Sequence, residues 1–182
     1  MKRKFVRISG GKLCGKKIYF TGKKTRPTQG KIRKILFNWI SDRIEGKNCL
    51  DGYSGSGILG FESISRKANS VFFIEKNYSC YKQIKKNLKS ISISKNFRII
   101  NASFINWIQF SKNKFDLLFL DPPFYKKNIF FILKKLKKKI FNKNSMIYIE
   151  TEKKNSFFIP NDWILYRKKV SGNVLFCLYF IK

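Results

Sequence analysis

The 182-residue chain contains no histidine at all. That absence removes Ser-His and Cys-His catalysis and leaves carboxylates, amides, hydroxyls, lysines or plain positioning to carry any chemistry. The four cysteines, Cys14, Cys49, Cys80 and Cys177, are scattered without a CxxC pair, so neither a zinc site nor a disulfide framework is read from them. No run approaches the roughly 18 to 20 apolar residues that span a bilayer, and Met1-Lys2-Arg3-Lys4 leads into polar sequence rather than a signal-peptide core. The expectation is a soluble, cytoplasmic, monomeric protein with no metal and no membrane partner.

Acidic residues are also scarce, ten Asp and Glu against forty Lys and Arg, for a formal charge of +30. Such an excess is the footprint of a nucleic-acid binder. Lysine outnumbers arginine by 32 to 8 and Ile, Asn, Phe and Tyr abound, a bias that A+T-rich coding also produces, so the charge alone does not fix the partner. The rare acids are correspondingly informative. Asp51, Glu75 and Asp121 each follow an apolar run.

Residues 4–20 alternate loosely around Gly10-Gly11 and read as a basic hairpin with a Gly-Gly turn. Arg26-Pro27-Thr28 then punctuates the chain, with Thr28 a candidate cap. Next, Ile32, Ile35, Leu36, Trp39 and Ile40 recur at helical spacing, with Lys31, Arg33, Lys34 and Asn38 on the remaining surface. From about residue 47, short apolar strands (48–50, 71–74, 98–100, 115–120, 146–149) alternate with helical stretches (57–67, 78–89, 104–110, 126–140), and the Lys134 to Lys139 run reads as a solvated helix face. That rhythm predicts an α/β fold with a doubly wound parallel sheet. Two extended aromatic runs, 163–170 and 174–180, add an antiparallel hairpin around Ser171-Gly172-Asn173. The order is that of Rossmann-like class I S-adenosylmethionine-dependent methyltransferases: a mostly parallel seven-stranded sheet with a C-terminal antiparallel hairpin, here preceded by a basic hairpin and helix. We divide the chain into an N-terminal RNA-binding hairpin and helix, 1–45, and a catalytic core, 46–182.

Two motifs carry chemistry. In Asp51-Gly52-Tyr53-Ser54-Gly55-Ser56-Gly57-Ile58-Leu59-Gly60, the last three glycines satisfy GxGxxG and Glu75 follows about twenty residues later, as in a dinucleotide site. A dehydrogenase is therefore an alternative. Against it, Asp51 at the strand end disfavours a pyrophosphate on the helix N-terminus. S-adenosylmethionine, with its ammonium and sulfonium, suits that acid better. In this reading Ser54, Gly55 and Gly57 line the methionine portion, Asp51 faces the positive end and Glu75 accepts from the ribose hydroxyls.

The second motif, Asp121-Pro122-Pro123-Phe124, stands at the carboxyl end of strand 115–120, where open α/β sheets place ligands. Paired prolines stiffen the backbone and remove two N–H donors. The Asp121 carboxylate and the Pro122 carbonyl can accept the two protons of an exocyclic base amine while Phe124 stacks on the ring. Drawing both protons toward acceptors localises a lone pair otherwise delocalised into the base, so catalysis is largely positioning. Methylation at pyrimidine C5 needs a thiolate beside proline, and none of the cysteines is so placed. The amine chemistry leaves guanine-N2 and adenine-N6 open, and a noncatalytic RNA-binding assembly protein is the alternative of a different class.

The chain resembles the bacterial RsmD-type 16S ribosomal RNA guanine-N2 methyltransferases over nearly its whole length. Besides the two motifs above, the likeness rests on Arg7-Ile8-Ser9-Gly10-Gly11-Lys12, on Arg26-Pro27-Thr28 followed by Arg33 and Leu36-Phe37-Asn38-Trp39, and on Leu59-Gly60-Phe61-Glu62 leading to Ser65-Arg66. The resemblance implies S-adenosylmethionine as donor and N2 of a guanine in 16S rRNA as acceptor, within a partly assembled small subunit. It implies Asp51, Gly55, Gly57 and Glu75 at the cofactor and Asp121, Pro122 and Phe124 in catalysis, with Arg7, Arg26, Thr28 and Arg33 holding RNA. Asn77 and Ser103 stand where related enzymes often have a carboxylate; Ser103 can still meet the adenine edge through its hydroxyl or backbone.

Overall fold

The apolar runs become the strands of one sheet because each is bounded by turn-forming residues and is too short for a helix. The structure, a computed structural model, describes residues 4–21, 27–91, 96–123, 129–136, 138–155 and 157–182. Five strands, β3 (Asn48–Asp51), β4 (Ser70–Ile74), β5 (Phe97–Ile100), β6 (Phe115–Leu120) and β7 (Phe141–Glu152), run parallel. The hairpin β8 (Trp163–Ser171) and β9 (Val174–Ile181) joins them antiparallel, giving the order β5-β4-β3-β6-β7-β9-β8. A separate antiparallel ribbon holds β1 (Lys4–Arg7) and β2 (Lys17–Phe20). Helices α1 (Gly30–Trp39), α2 (Ile58–Ser65), α3 (Tyr78–Ser90), α4 (Phe104–Phe110) and α5 (Ile129–Lys135) complete the chain.

Alternation along the strands splits the core in two. In β6, Leu117 and Phe119 face the layer of α1, α2 and the N-terminal ribbon, while Leu118 and Leu120 face α4 and α5. The sheet is thus covered on both faces, as a parallel sheet requires. Class I methyltransferase architecture is the result, and β3 and β6 are the neighbours between which the winding reverses.

Several local expectations are corrected. Gly10-Gly11 is no hairpin turn: residues 8–16 link β1 to β2, and Gly11, at φ +77°, lies so close to α2 that a Cβ would stand 2.1 Å from the Ser65 carbonyl oxygen. The glycine serves close approach, not chain reversal. Helix 126–140 is shorter. Residues 124–128 lie outside the described residues, α5 closes at Lys135, and the Leu136 N–H is shared between the Ile132 and Leu133 carbonyls. A 3₁₀ turn (Lys138–Ile140) then brings the adjacent Ile140 and Phe141 into the core together. Strand 146–149 extends to 141–152 because β9 supplies antiparallel backbone partners from Met146 as far as Glu152 and Phe141 pairs with Phe115 of β6, whatever the side-chain pattern.

The N-terminal segment is locked down by one buried carboxylate. Glu62, fully buried within α2, accepts at Oε1 from the Ser9 N–H (2.7 Å) and Arg33 Nε (2.8 Å), and at Oε2 from Arg66. Arg33 also donates to the carbonyls of Thr28 (3.1 Å) and Arg7 (2.9 Å). The Arg66 guanidinium covers the ring of Phe37, 4.5 Å from its centroid, and Trp39 stacks on Phe176 of β9 at 5.3 Å. Removing one partner of a buried ion pair strands the others, so Glu62→Ala should destabilise by about 3 to 5 kcal/mol. Breaking the exposed Lys67–Glu45 pair with Glu45→Ala should cost about 1 kcal/mol or less. Urea denaturation of both variants tests this; equal losses would refute the role given to Glu62.

Candidate functional site

Four carboxylates follow one another along the carboxyl edge of the sheet. Glu75 leaves β4, Asp51 ends β3, Asp121 leaves β6 and Glu150 lies in β7, one residue beyond the Leu120–Ile149 register pair. They occupy four adjacent strands and include four of the ten acids in the chain. Each strand ends in the same direction, so the pattern of an acid after an apolar run translates into a row.

Around Asp51 the glycine loop is shaped by contact. Gly57, at φ +78°, starts α2 where a Cβ would sit 2.9 Å from the Phe61 ring. Gly60 faces the Phe73 ring so closely that a Cβ would lie at 2.2 Å, which is the helix–strand packing role of the third glycine in such loops. Ser54 Oγ donates to the Asp51 carbonyl (2.9 Å), holding the turn. Gly55, at φ +52°, donates its N–H to Glu75 Oε2 at 2.7 Å, and Asn77 N–H donates to Oε1 at 2.6 Å. Asp51 is buried and accepts the Gly60 N–H at 3.2 Å. The backbone donors that would cradle a phosphate in a dinucleotide site therefore already face carboxylates. Such a donor set accommodates a cation.

Burial governs the charge of this edge. It raises the Asp51 carboxyl from 3.8 to about 8; the Gly60 N–H opposes the rise, while Asp121 and Glu75 add to it. Asp121 and Glu150 are both pushed up by burial, Glu150 also by the proximity of Asp121. The Thr28 hydroxyl, 3.2 Å from Asp121 Oδ2, pulls Asp121 back toward ionisation, and the Tyr148 hydroxyl donates to Glu150 Oε2 at 2.8 Å.

The structure thus gathers Asp51, Ser54, Gly55, Gly57, Glu75, Asp121 and the buried Pro122 at one end of the sheet. Ser103 stands at the N-terminus of α4 beside the end of β5, without a capping bond from its side chain. Asn77, at the helix start where a carboxylate was the expected type, caps α3 by accepting from the Ser79 and Cys80 N–H groups. Phe124 and Arg26 lie outside the described residues. Two residues expected to hold RNA are turned inward. Arg33 is buried and faces Glu62 and two carbonyls inward, and Thr28 is buried with its hydroxyl on Asp121; it does not cap α1, whose N-cap is Gln29. Arg7 does lie at the surface, donating to the Gly15 carbonyl at 2.9 Å. Sequence reasoning missed Glu150, although it too follows an apolar run, and missed the role of Glu62, whose signal was a single charged residue inside helix 58–65.

Known proteins resemble this chain in sequence and in fold. The family model described as conserved hypothetical protein 95 matches residues 6–180. Ribosomal RNA small subunit methyltransferase D of Buchnera aphidicola from Acyrthosiphon pisum is 39% identical over 98% of this chain and 94% of its own, and its Escherichia coli counterpart is 32% identical over 96% and 89%. Among solved structures, a candidate methyltransferase from Escherichia coli superposes with a TM-score of 0.88 at 31% identity, covering 98% of this chain and 99% of that one. A candidate methylase from Haemophilus influenzae gives 0.84 at 35%, with the same coverage.

A carboxyl raised by folding favours the folded state when neutral, so its contribution is greatest below the ordinary value near 3.8 and declines as pH climbs toward about 8. Asp51→Asn should therefore gain stability relative to the parent protein between about pH 5 and about pH 7.5, by about 1 kcal/mol or more. Urea midpoints of the ligand-free proteins at the two pH values measure it; a difference that does not grow with pH would contradict the charged burial of Asp51.

Proposed function

The chain belongs to the ribosomal RNA small subunit methyltransferase D family, and from this premise we propose that it methylates the exocyclic N2 amine of a guanine in the 16S rRNA of the small ribosomal subunit. The observation that carries the chemistry is Asp121-Pro122 at the end of β6, beside the acid-lined glycine loop of β3. S-adenosylmethionine, when bound, supplies the methyl group as an electrophile on a sulfonium. Asp51 faces the cationic end of that ligand, Gly55 and Gly57 give its methionine portion room, Glu75 meets the ribose hydroxyls, and Ser103 meets the adenine edge. Ionised Asp121 and the Pro122 carbonyl accept the two amine protons, which orients the nitrogen lone pair, and Phe124 stacks on the base. Asp121 also holds the proton that the amine sheds after transfer. No histidine is needed.

The N-terminal ribbon and α1 form the RNA-facing unit, with Arg7, exposed on the ribbon, and Arg26 as phosphate contacts, and the +30 charge supports a polyanionic substrate. A partly assembled subunit is the proposed acceptor, met by a monomer in the cytoplasm. Among the described residues no helix is long and apolar enough to cross a membrane.

Incubation with labelled S-adenosylmethionine and unmodified small-subunit RNA or particles, followed by digestion to nucleosides, should yield N2-methylguanosine. Label appearing in N6-methyladenosine instead would overturn the acceptor, and RNA binding without any affinity for the donor would favour a noncatalytic assembly protein. Asp121→Ala should lower transfer at least about a hundredfold while leaving donor affinity within about threefold; near-normal turnover would remove Asp121 from the mechanism.

A further inference from the structure

Asp121 has two carboxylate oxygens, and amine recognition needs one of them. Thr28 Oγ1 donates to Oδ2, and among the described residues no donor reaches Oδ1. Thr28 is buried although it sits on the connection leading into α1, and it plays no part in capping that helix. Its backbone is held from the far side: Arg33 donates to the Thr28 carbonyl, and Arg33 is itself fixed by Glu62. The hydroxyl is therefore placed on Asp121 by the anchored N-terminal segment rather than by the loop that carries Asp121.

The surroundings give that single hydrogen bond consequence. The titratable groups facing Asp121 are Asp51 of β3 and Tyr148 and Glu150 of β7, and among the described residues no cation is paired with it. Asp121 and Glu150 are adjacent carboxyls in a desolvated place, and two such groups do not readily ionise together, so one proton stays on the pair. An acceptor for an amine proton must be the ionised member. Each carboxyl has one hydroxyl donor, Thr28 on Asp121 and Tyr148 on Glu150, and each donor favours charge against the effect of burial; Glu150 is raised by burial and by the proximity of Asp121 together, so the proton rests on Glu150 as long as Thr28 keeps its bond to Asp121.

We propose that Thr28 is a positioning residue for methyl transfer: its hydroxyl occupies Oδ2 of Asp121, keeps the negative charge on Asp121 and the shared proton on Glu150, and leaves Oδ1 for the substrate amine. This rests on the reading of Asp121 as the amine acceptor. It reassigns Thr28 from RNA contact to control of the catalytic carboxylate, and it makes the docking of the N-terminal segment a condition of catalysis.

The test compares Thr28→Val, which keeps the shape and removes the donor, with Thr28→Ser, which keeps the donor; Thr28→Ala is the second donor-less variant should the valine form not fold. The Asp121 carboxyl is titrated by ¹³C NMR without any acceptor RNA, its signal assigned by its loss in Asp121→Asn. Single-turnover transfer is followed against pH, together with KM for RNA. Without the donor, the Asp121 midpoint and the acid limb of the rate profile should both rise by about one pH unit. The rate near pH 7 should fall about fivefold with KM for RNA within about twofold, and Thr28→Ser should recover the rate to within about twofold. An unmoved Asp121 midpoint, a serine variant as impaired as valine, or a raised KM with intact kcat would overturn the proposal. A parent protein that methylates no guanine would overturn the functional reading instead, while the titration would still decide the role of Thr28.

Discussion

The buried carboxylate of Glu62 is the constraint on which the N-terminal third depends. A carboxylate deprived of water must be answered by cations and N–H groups, and here the answers come from Arg33 of α1, Arg66 just beyond α2 and the Ser9 backbone. Ser9 and Arg33 are remote from Glu62 in sequence, so satisfying the carboxylate brings the β1–β2 ribbon, α1 and α2 together. The residues that carry the family resemblance converge on this point: Ser9-Gly10-Gly11 packs on Ser65, Arg33 and Arg66 pair with Glu62, Phe37 lies under Arg66, and Arg33 fixes the carbonyls of Arg7 and Thr28. The residues on which the likeness to this family rests are, in this structure, largely the means by which one N-terminal segment is attached to the core.

A second carboxylate problem governs the opposite end of α2. Glu75, Asp51, Asp121 and Glu150 line adjacent strand ends in a protein whose overall charge is strongly positive, yet the described ion pairs place no lysine or arginine on Asp51, Asp121 or Glu150. Neutral donors hold them instead: glycine N–H groups at Asp51 and Glu75, a threonine hydroxyl at Asp121, a tyrosine hydroxyl at Glu150. Leaving these acids without permanent counter-charge suits a site whose positive partner arrives with the ligand. The two carboxylate arrangements are linked, because Arg33 on Glu62 also fixes the carbonyl of the threonine that reaches Asp121.

Much of the fold was legible because it follows from periodicity. Residues 104–110 and 115–120 have the same limits in both sequence and structure, since a mainly apolar run beside clear turn residues leaves little choice. Residues 141–145 and 136–140 were not legible in this way. Their conformations are set by pairing of Phe141 with Phe115 of β6 and by burial of Ile140 with Phe141, neither of which is encoded in local pattern. The same division runs through the site. Asp51, Glu75 and Asp121 stood out as acids after apolar runs, and parallel strands necessarily present such residues at one edge.

The sequence by itself determined the α/β architecture, the acid-lined glycine loop and the acid-and-proline exit from β6, because each depends on a few consecutive residues whose conformational and electrostatic preferences are strong. Tertiary structure decided the rest. Whether Arg33 meets RNA or Glu62, and whether Thr28 caps a helix or holds Asp121, depends on partners 29 and 93 residues away along the chain. Basic and hydroxyl side chains look alike in sequence whether they face solvent or the interior, and only the packing of the N-terminal segment against the core fixes which carboxylate each one serves.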